Sequence, residues 1–178
     1  MSAEHDRRLT STLGKGMVFT AWLLVLGLLT VFFNDWQERQ TNPNRRIEGR
    51  VTEGGAREVS LQRNRYGHYV TSGRINGHDV VYLLDTGATS VSIPAGVAER
   101  LGLERGMRYR VGTANGEITV YATRLARLEL GNIVLRGVRA HINPYMSGEE
   151  ILLGMSALKQ LELEQRGGRL TLRQHAQK

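Results

Sequence analysis

The stretch that decides the fold runs from Asp79 to Pro94 and reads D-V-V-Y-L-L-D-T-G-A-T-S-V-S-I-P. Val80 to Leu84 is an apolar strand that ends on an acid, Asp85. Thr86 and Gly87 make the turn, and Ser90 to Ile93 leaves it as a second short strand. A carboxylate at the tip of a loop between two buried strands is held rigidly and faces outward, a common placement for binding and catalytic groups. Gly87 lets the backbone approach the acid and offers it an N–H, while Thr86 can hydrogen-bond sideways. Asp, Thr and Gly are also ordinary turn formers, so the tripeptide alone is a weak signal. Its flanks and the downstream chain raise its weight.

Upstream, Tyr66 to Ile75 is strand-like. Asn76-Gly77 is a strong hairpin turn that returns His78 to Leu84 and delivers Asp85. Downstream, Pro94 to Leu101 is a short helix, with Pro at its start and Gly102 after its last apolar residue. Met107 to Thr113 and Glu117 to Thr123 alternate around Asn115-Gly116. This is a second hairpin, expected to be mobile because few large apolar residues anchor its tip. Leu125 to Leu130 and Ile133 to Ile142 are strands joined by Gly131-Asn132. Ile151 to Met155, I-L-L-G-M, is a buried strand that stops at Gly154. Ser156 to Leu161 is a helical turn or two, and Leu161 to Leu172 a last hairpin around Gly167-Gly168. The expected fold of residues 66–178 is all-β with two short helices. Its interior must be Val, Leu, Ile, Met and Tyr, because that span contains neither Trp nor Phe.

The N-terminal third reads differently. Residues 1–15 are polar and predict a cytoplasmic tail. Gly16 to Asn34 is uncharged and mostly apolar, and as a helix it would run about 28 Å, close to the hydrocarbon thickness of a bilayer. Phe33 and Trp36 suit an interfacial belt. A cleaved signal peptide is the competing reading; the length of the run and the absence of an Ala-x-Ala site speak against it. The N-terminal flank carries Arg7, Arg8 and Lys15; the far flank carries Arg39, Arg45, Arg46 and Arg50, of which only Arg39 is close. The positive-inside rule therefore leans towards a single-pass protein of the inner membrane with the short N-terminus in the cytoplasm and the β domain on the periplasmic side. Residues 35–65, rich in Arg, Glu, Asn, Gln and Gly, read as a flexible tether, with an edge strand around Val59 to Leu61.

Composition narrows the chemistry. The net charge is +7, but Lys and Arg are interleaved with Glu, and no stripe reads as a nucleic-acid footprint. With no Cys in the chain, disulfides, thiol catalysis and Cys-based zinc sites are excluded. His5, His68, His78, His141 and His175 are widely spread and match no metal-ligand spacing, so neither metal nor cofactor is expected. No phosphate-binding loop is present.

The strand–Asp85-Thr86-Gly87-Ala88–strand unit, a flap hairpin, and the apolar-apolar-Gly strand Leu152-Leu153-Gly154 before a helix together resemble the aspartic proteases of the retropepsin type. The runs T-A-N-G (113–116), A-E-R-L-G-L (98–103) and L-L-G-M-S (152–156) look like a bacterial, membrane-anchored branch. The resemblance covers roughly residues 66–174 and implies a retropepsin-like half-domain, and with it an aspartic endopeptidase. Hydrolysis of an amide by carboxylates needs two of them, one ionised and one protonated. The chain has four Asp, of which Asp85 alone precedes Thr-Gly. A symmetric homodimer, each subunit giving one Asp85, is therefore expected. The resemblance gives roles to the neighbours. Thr86 would bond across the dimer, Gly87 would donate its N–H to the carboxylate, and Ala88 would form a small wall of the cleft. Ala114, Asn115 and Gly116 at the hairpin tip would close over an extended peptide. Leu152, Leu153 and Gly154 would support the catalytic loop from behind, and the hairpin Leu161 to Leu172 is the expected interface sheet. Two departures stand out: the flap tip is not Gly-rich, and Met155 follows Gly154 where viral members have the Arg that braces their dimer. The alternative is an inactive protease-like binding or dimerisation module on a membrane anchor.

Overall fold

The computed structural model describes residues 2–113 and 116–175, with backbone alone for residues 2–15. Contacts divide the chain into Met1–Gln40 and Thr41–Lys178. The first unit belongs to one helix, α1 (Ser2–Thr41). Its stretch Gly16–Thr41 is long and apolar enough to cross a membrane. Its large apolar side chains, among them Phe19, Trp22, Leu28 and Phe32, are exposed. The helix overruns the expected span of 16–34 at both ends. Beyond Asn34 it is carried by i,i+4 pairs, Asn34 Nδ2 donating to Glu38 Oε1 and Asp35 pairing with Arg39 at 2.8 Å. Towards the N-terminus, residues 2–15 contain no Pro to stop it.

The second unit starts earlier than composition suggests. Residues 42–62, read above as part of a tether, are folded. Asn44 is 5 % exposed, and its amide is fully used. Nδ2 donates to the carbonyls of Gln62 (2.9 Å) and Val70 (2.7 Å), and Oδ1 accepts from Gln62 N–H (2.7 Å). The Asn44 carbonyl accepts from Ser72 N–H and Thr71 Oγ1, both at 3.2 Å. Polar composition hid this, because one buried Asn replaces what apolar contacts do elsewhere. The strands that follow are β1 (Gly49–Val51) and β2 (Arg57–Gln62). With the C-terminal hairpin β10 (Glu162–Arg166) and β11 (Arg169–Gln174) they make a four-stranded antiparallel sheet in the order β1-β2-β11-β10. The expected edge strand around Val59 is thus an inner one. Val59 and Leu61 lie opposite Leu172 and Leu170 and join the core. Glu58 is 2 % exposed and bonds Arg173 Nε (2.5 Å) and Arg50 Nε (2.6 Å). The hydrogen bond from Arg173 above all holds its carboxyl below the usual carboxylate range, against the effect of burial.

The second sheet is built from β3 (Tyr69–Ile75), β4 (His78–Leu84), β5 (Val91–Pro94), β6 (Arg108–Thr113), β7 (Gly116–Leu130), β8 (Ile133–Asn143) and β9 (Glu150–Leu153). Its order is β3-β4-β9-β5-β8-β7-β6, and β3 also pairs with β7 through Arg74↔Glu129 and Ile75↔Leu128. That pairing closes six strands into a barrel and leaves β6 outside it. Asn76 (φ 50°) and Gly77 (φ 89°) form the β3–β4 turn, a left-handed pair that Asn-Gly adopts at little cost. The short helices α2 (Ala95–Arg100) and α3 (Met155–Leu158) bury Val97, Ala98, Ala157 and Leu158. The barrel core is Ile, Leu and Val around Tyr82, whose hydroxyl donates to the Arg74 carbonyl at 2.8 Å. β-Strands with two short helices, and a core without Trp or Phe, match the fold class expected from the sequence.

Candidate active site

Asp85 follows β4 directly, and its position is fixed by a strand from far along the chain. β9 runs parallel to β4, with Leu83↔Leu152 and Leu84↔Leu153, and antiparallel to β5, with Ser92↔Leu152. It therefore lies between the strand that enters the Asp85 loop and the strand that leaves it. Asp85 N–H donates to the Leu153 carbonyl at 3.2 Å. On the other side of the turn, Met155 N–H donates to the Ala88 carbonyl (2.8 Å) and Ser156 N–H to the Thr89 carbonyl (3.0 Å). Gly154 sits where these backbones meet. A Cβ there would lie 2.6 Å from the Ala88 carbonyl oxygen and would collide with that of Ser90 as well, so no side chain fits. Leu152, Leu153 and Gly154 are thus packed behind the loop.

Within the loop, Gly87 N–H donates to Asp85 Oδ1 at 2.8 Å, and Ala88 N–H to the Asp85 carbonyl at 3.2 Å. A Cβ on Gly87 would stand 3.2 Å from Asp85 Oδ1, crowding the carboxylate it now bonds. Asp85 and Ala88 are half-buried, whereas Thr86 and Gly87 are exposed. The carboxylate is oriented from behind and open in front, as a group that meets a ligand must be. Among the described residues no cluster of His, Asp and Glu has the makings of a metal site.

The hairpin β6–β7 projects beyond the barrel. It pairs from Arg108↔Tyr121 to Thr113↔Gly116, and all but one of the β6 residues are exposed. Ala114 and Asn115 lie outside the described residues. Gly116 (φ 113°) is exposed, and its carbonyl accepts from Thr113 Oγ1 at 2.8 Å. No hydrogen bond among the described residues joins Gly116 to the Asp85 loop. At the hairpin root, Tyr109 Oη meets His141 Nδ1 at 3.4 Å with the rings edge-on, and burial pushes the His141 pKa down. One strand, β7, carries the hairpin into the barrel where the sequence suggested two separate segments.

Sequence reasoning passed over Ser156. Its hydroxyl accepts from Val91 N–H (3.0 Å) and donates to the Arg139 carbonyl (2.7 Å), tying β5 to β8 immediately behind the loop. The available signal was a small polar residue directly after an apolar strand, at a position that apolar periodicity does not mark.

Comparison with known proteins agrees with this geometry. The family described as "gag-polyprotein putative aspartyl protease" matches residues 71–160, about half of the chain. A relative from Sinorhizobium sp., the "uncharacterized protein in cobV 5′ region", is 34 % identical over 135 residues, covering 71 % of this chain and 58 % of that protein. The chain thus spans less than two thirds of the length of that relative. Among solved structures, a retropepsin-like aspartic protease from Rickettsia conorii superimposes with a TM-score of 0.57 at 21 % identity, over 67 % of this chain and 92 % of that one. The fold is retropepsin-like, preceded by a long apolar helix.

Proposed function

The chain belongs to the gag-polyprotein aspartyl protease family, and from that premise we propose that it is a membrane-anchored aspartic endopeptidase that works as a homodimer. The observation that carries the reading is the Asp85 loop: a forward-facing carboxylate, oriented by Gly87 N–H, on a turn braced by β9. Two such loops related by a two-fold axis would bring two Asp85 carboxyls together. Both cannot ionise side by side, so they share a proton. The ionised one takes a proton from water as the water oxygen attacks the peptide carbonyl carbon. The protonated one donates to the carbonyl oxygen, giving a neutral tetrahedral diol. Collapse of the diol breaks the C–N bond as one carboxyl gives its proton to the leaving amine and the other carboxylate takes a proton from a diol hydroxyl, restoring the singly protonated pair. Thr86, exposed on the turn, would bond the partner loop. The β6–β7 hairpin, with Ala114, Asn115 and Gly116 at its tip, would close over an extended peptide and exclude water. Apolar side chains are expected at the two residues flanking the cut.

In the four-stranded sheet β11 is already paired with β2, so of the C-terminal hairpin the outer edge of β10 is what remains for a partner. The helix α1 would anchor the subunits in one membrane, with the β domain on the periplasmic side. Sharing a membrane raises their effective concentration and favours a weak dimer. The test is peptide-library cleavage by the full chain in detergent between pH 4 and 7, beside Asp85→Asn, with oligomeric state followed by sedimentation. Cleavage by the dimer, highest at mildly acid pH and absent from Asp85→Asn, is expected. A confirmed dimer that cleaves nothing would instead point to a binding module.

A further inference from the structure

A cavity of about 440 Å³ opens beside the Asp85 loop, and the proposed reaction does not use it. One wall is the chain leaving that loop, Thr89 and Ser90; another is Tyr109 at the root of the hairpin. The remaining walls include Arg139 on β8 and Lys159 just after α3. No carboxylate lines the cavity, and its two charged side chains are both cations. Both residues are exposed. Elsewhere Arg50, Arg74, Arg100, Arg127 and Arg173 are each paired with a Glu or Asp. Neither Arg139 nor Lys159 has such a partner among the described residues. The hydroxyls of Thr89, Ser90 and Tyr109 add donors to the same space.

Location gives this charge a meaning. Thr89 is four residues from Asp85, so its Cα lies within about 14 Å of the Asp85 Cα even with the chain fully extended. An extended peptide advances about 3.3 Å per residue and turns alternate side chains to opposite faces. A peptide lying across Asp85 and running towards Thr89 and Ser90 would reach the cavity within about four residues of the scissile bond. We propose that this cavity is an outer subsite for an acidic side chain, with Arg139 and Lys159 determining the preference. In a two-fold dimer one copy flanks the cut on each side. The preferred substrate would then be a short apolar core with Asp or Glu on both flanks.

The inference rests on the protease reading for its register, but its test separates the two. Peptides with one apolar core and Glu, Gln or Lys at the flanking positions are bound to the full-chain Asp85→Asn protein in detergent at 0.15 M salt, by fluorescence anisotropy. The same series is offered to the wild type for cleavage. Glu-flanked peptides should bind about tenfold more tightly than Gln-flanked ones. R139Q/K159Q should erase that difference, and R139E/K159E should turn it towards Lys. Since both side chains are exposed, the thermal midpoint should hardly move, and circular dichroism checks this. Equal binding of Glu and Gln peptides would overturn the proposal. So would a preference that survives R139Q/K159Q, or one that R63Q/R169Q at the four-stranded sheet removes equally, since it would then be a field of the whole basic surface. A Glu preference with no cleavage by the wild type would uphold the subsite and overturn the protease.

Discussion

The Asp85 loop and the β6–β7 hairpin each join strands consecutive in the chain, yet they are held in opposite ways: β9 separates β4 from β5, whereas β6 and β7 pair directly. The loop is bonded on both flanks by Leu153, Met155 and Ser156, and has backbone pressed against it where Gly154 leaves no room. The hairpin is bonded to itself and is exposed along most of β6. Among the described residues, Tyr109 links its root to the barrel beyond β7 through His141 at 3.4 Å, too long to be a strong hydrogen bond. A reaction between two carboxylates needs fixed acids. Admission of a polypeptide needs a part that moves. Rigidity of the loop comes from interleaving a distant strand, whereas the hairpin has few apolar anchors.

The largest expected effect tests whether the loop is chemical at all. Asp85→Asn should lower peptide cleavage by at least about 10³-fold and leave the urea midpoint nearly unchanged, because the half-buried carboxylate accepts from Gly87 N–H, a bond the amide oxygen can keep. Gly154→Ala should break the brace itself. Its methyl would meet backbone rather than a flexible side chain, so a loss of about 3 kcal/mol is expected in urea unfolding, with cleavage falling too. Ser156→Ala removes one donor and one acceptor that serve Val91 and Arg139, and should cost about 1–2 kcal/mol in the same assay. On the other side of the comparison, Val111→Thr in the hairpin should change stability by less than about 0.5 kcal/mol, while its amides exchange hydrogen far faster than those of β9. Comparable protection of the two regions would end the contrast.

The smallest effect concerns the hairpin root. Burial lowers the His141 pKa, so the fold favours neutral imidazole. Its contribution to stability is whole above the ordinary His range, near about 6.5, and is lost as pH falls through the lower folded value. Acidification should therefore loosen the root, measurable as faster exchange of the β6 amides at pH 5 than base-catalysed chemistry predicts. His141→Gln should flatten that dependence.

How much of this was legible beforehand follows the same division. Val80 to Leu84, Asn76-Gly77 and I-L-L-G are local patterns, and hydrophobicity and turn chemistry gave their strands, turn and order directly. The resemblance added that β9 crosses behind the loop, which spacing alone does not state. What stayed hidden was held by polar groups. Asn44, Glu58 and Ser156 are buried and satisfied by partners that are far away in sequence. Nothing in T-N-P-N-R-R separates a clasp from a linker, so residues 42–62 read as spare chain. Val59 and Leu61 did alternate as a strand should, but their partners, Leu172 and Leu170, lie more than 100 residues on. Arg139 and Lys159 were equally invisible as a pair, since sequence does not bring β8 beside the end of α3.

The clasp at Asn44 bears on how the β domain could be shed. With Gln62, Val70, Thr71 and Ser72 all bonded to it, the chain from Asn44 onward belongs to the sheets. A releasing protease that cut between Asn44 and β2 would leave the domain tied by hydrogen bonds and missing part of its second sheet. If α1 anchors the chain, a cut that keeps the β domain whole falls before Thr41, whose carbonyl accepts from Asn64 Nδ2 at 2.9 Å. A form beginning at Tyr66, where the sequence pattern first turns strand-like, would lose β1, β2 and the Glu58 ion cluster together and should not fold.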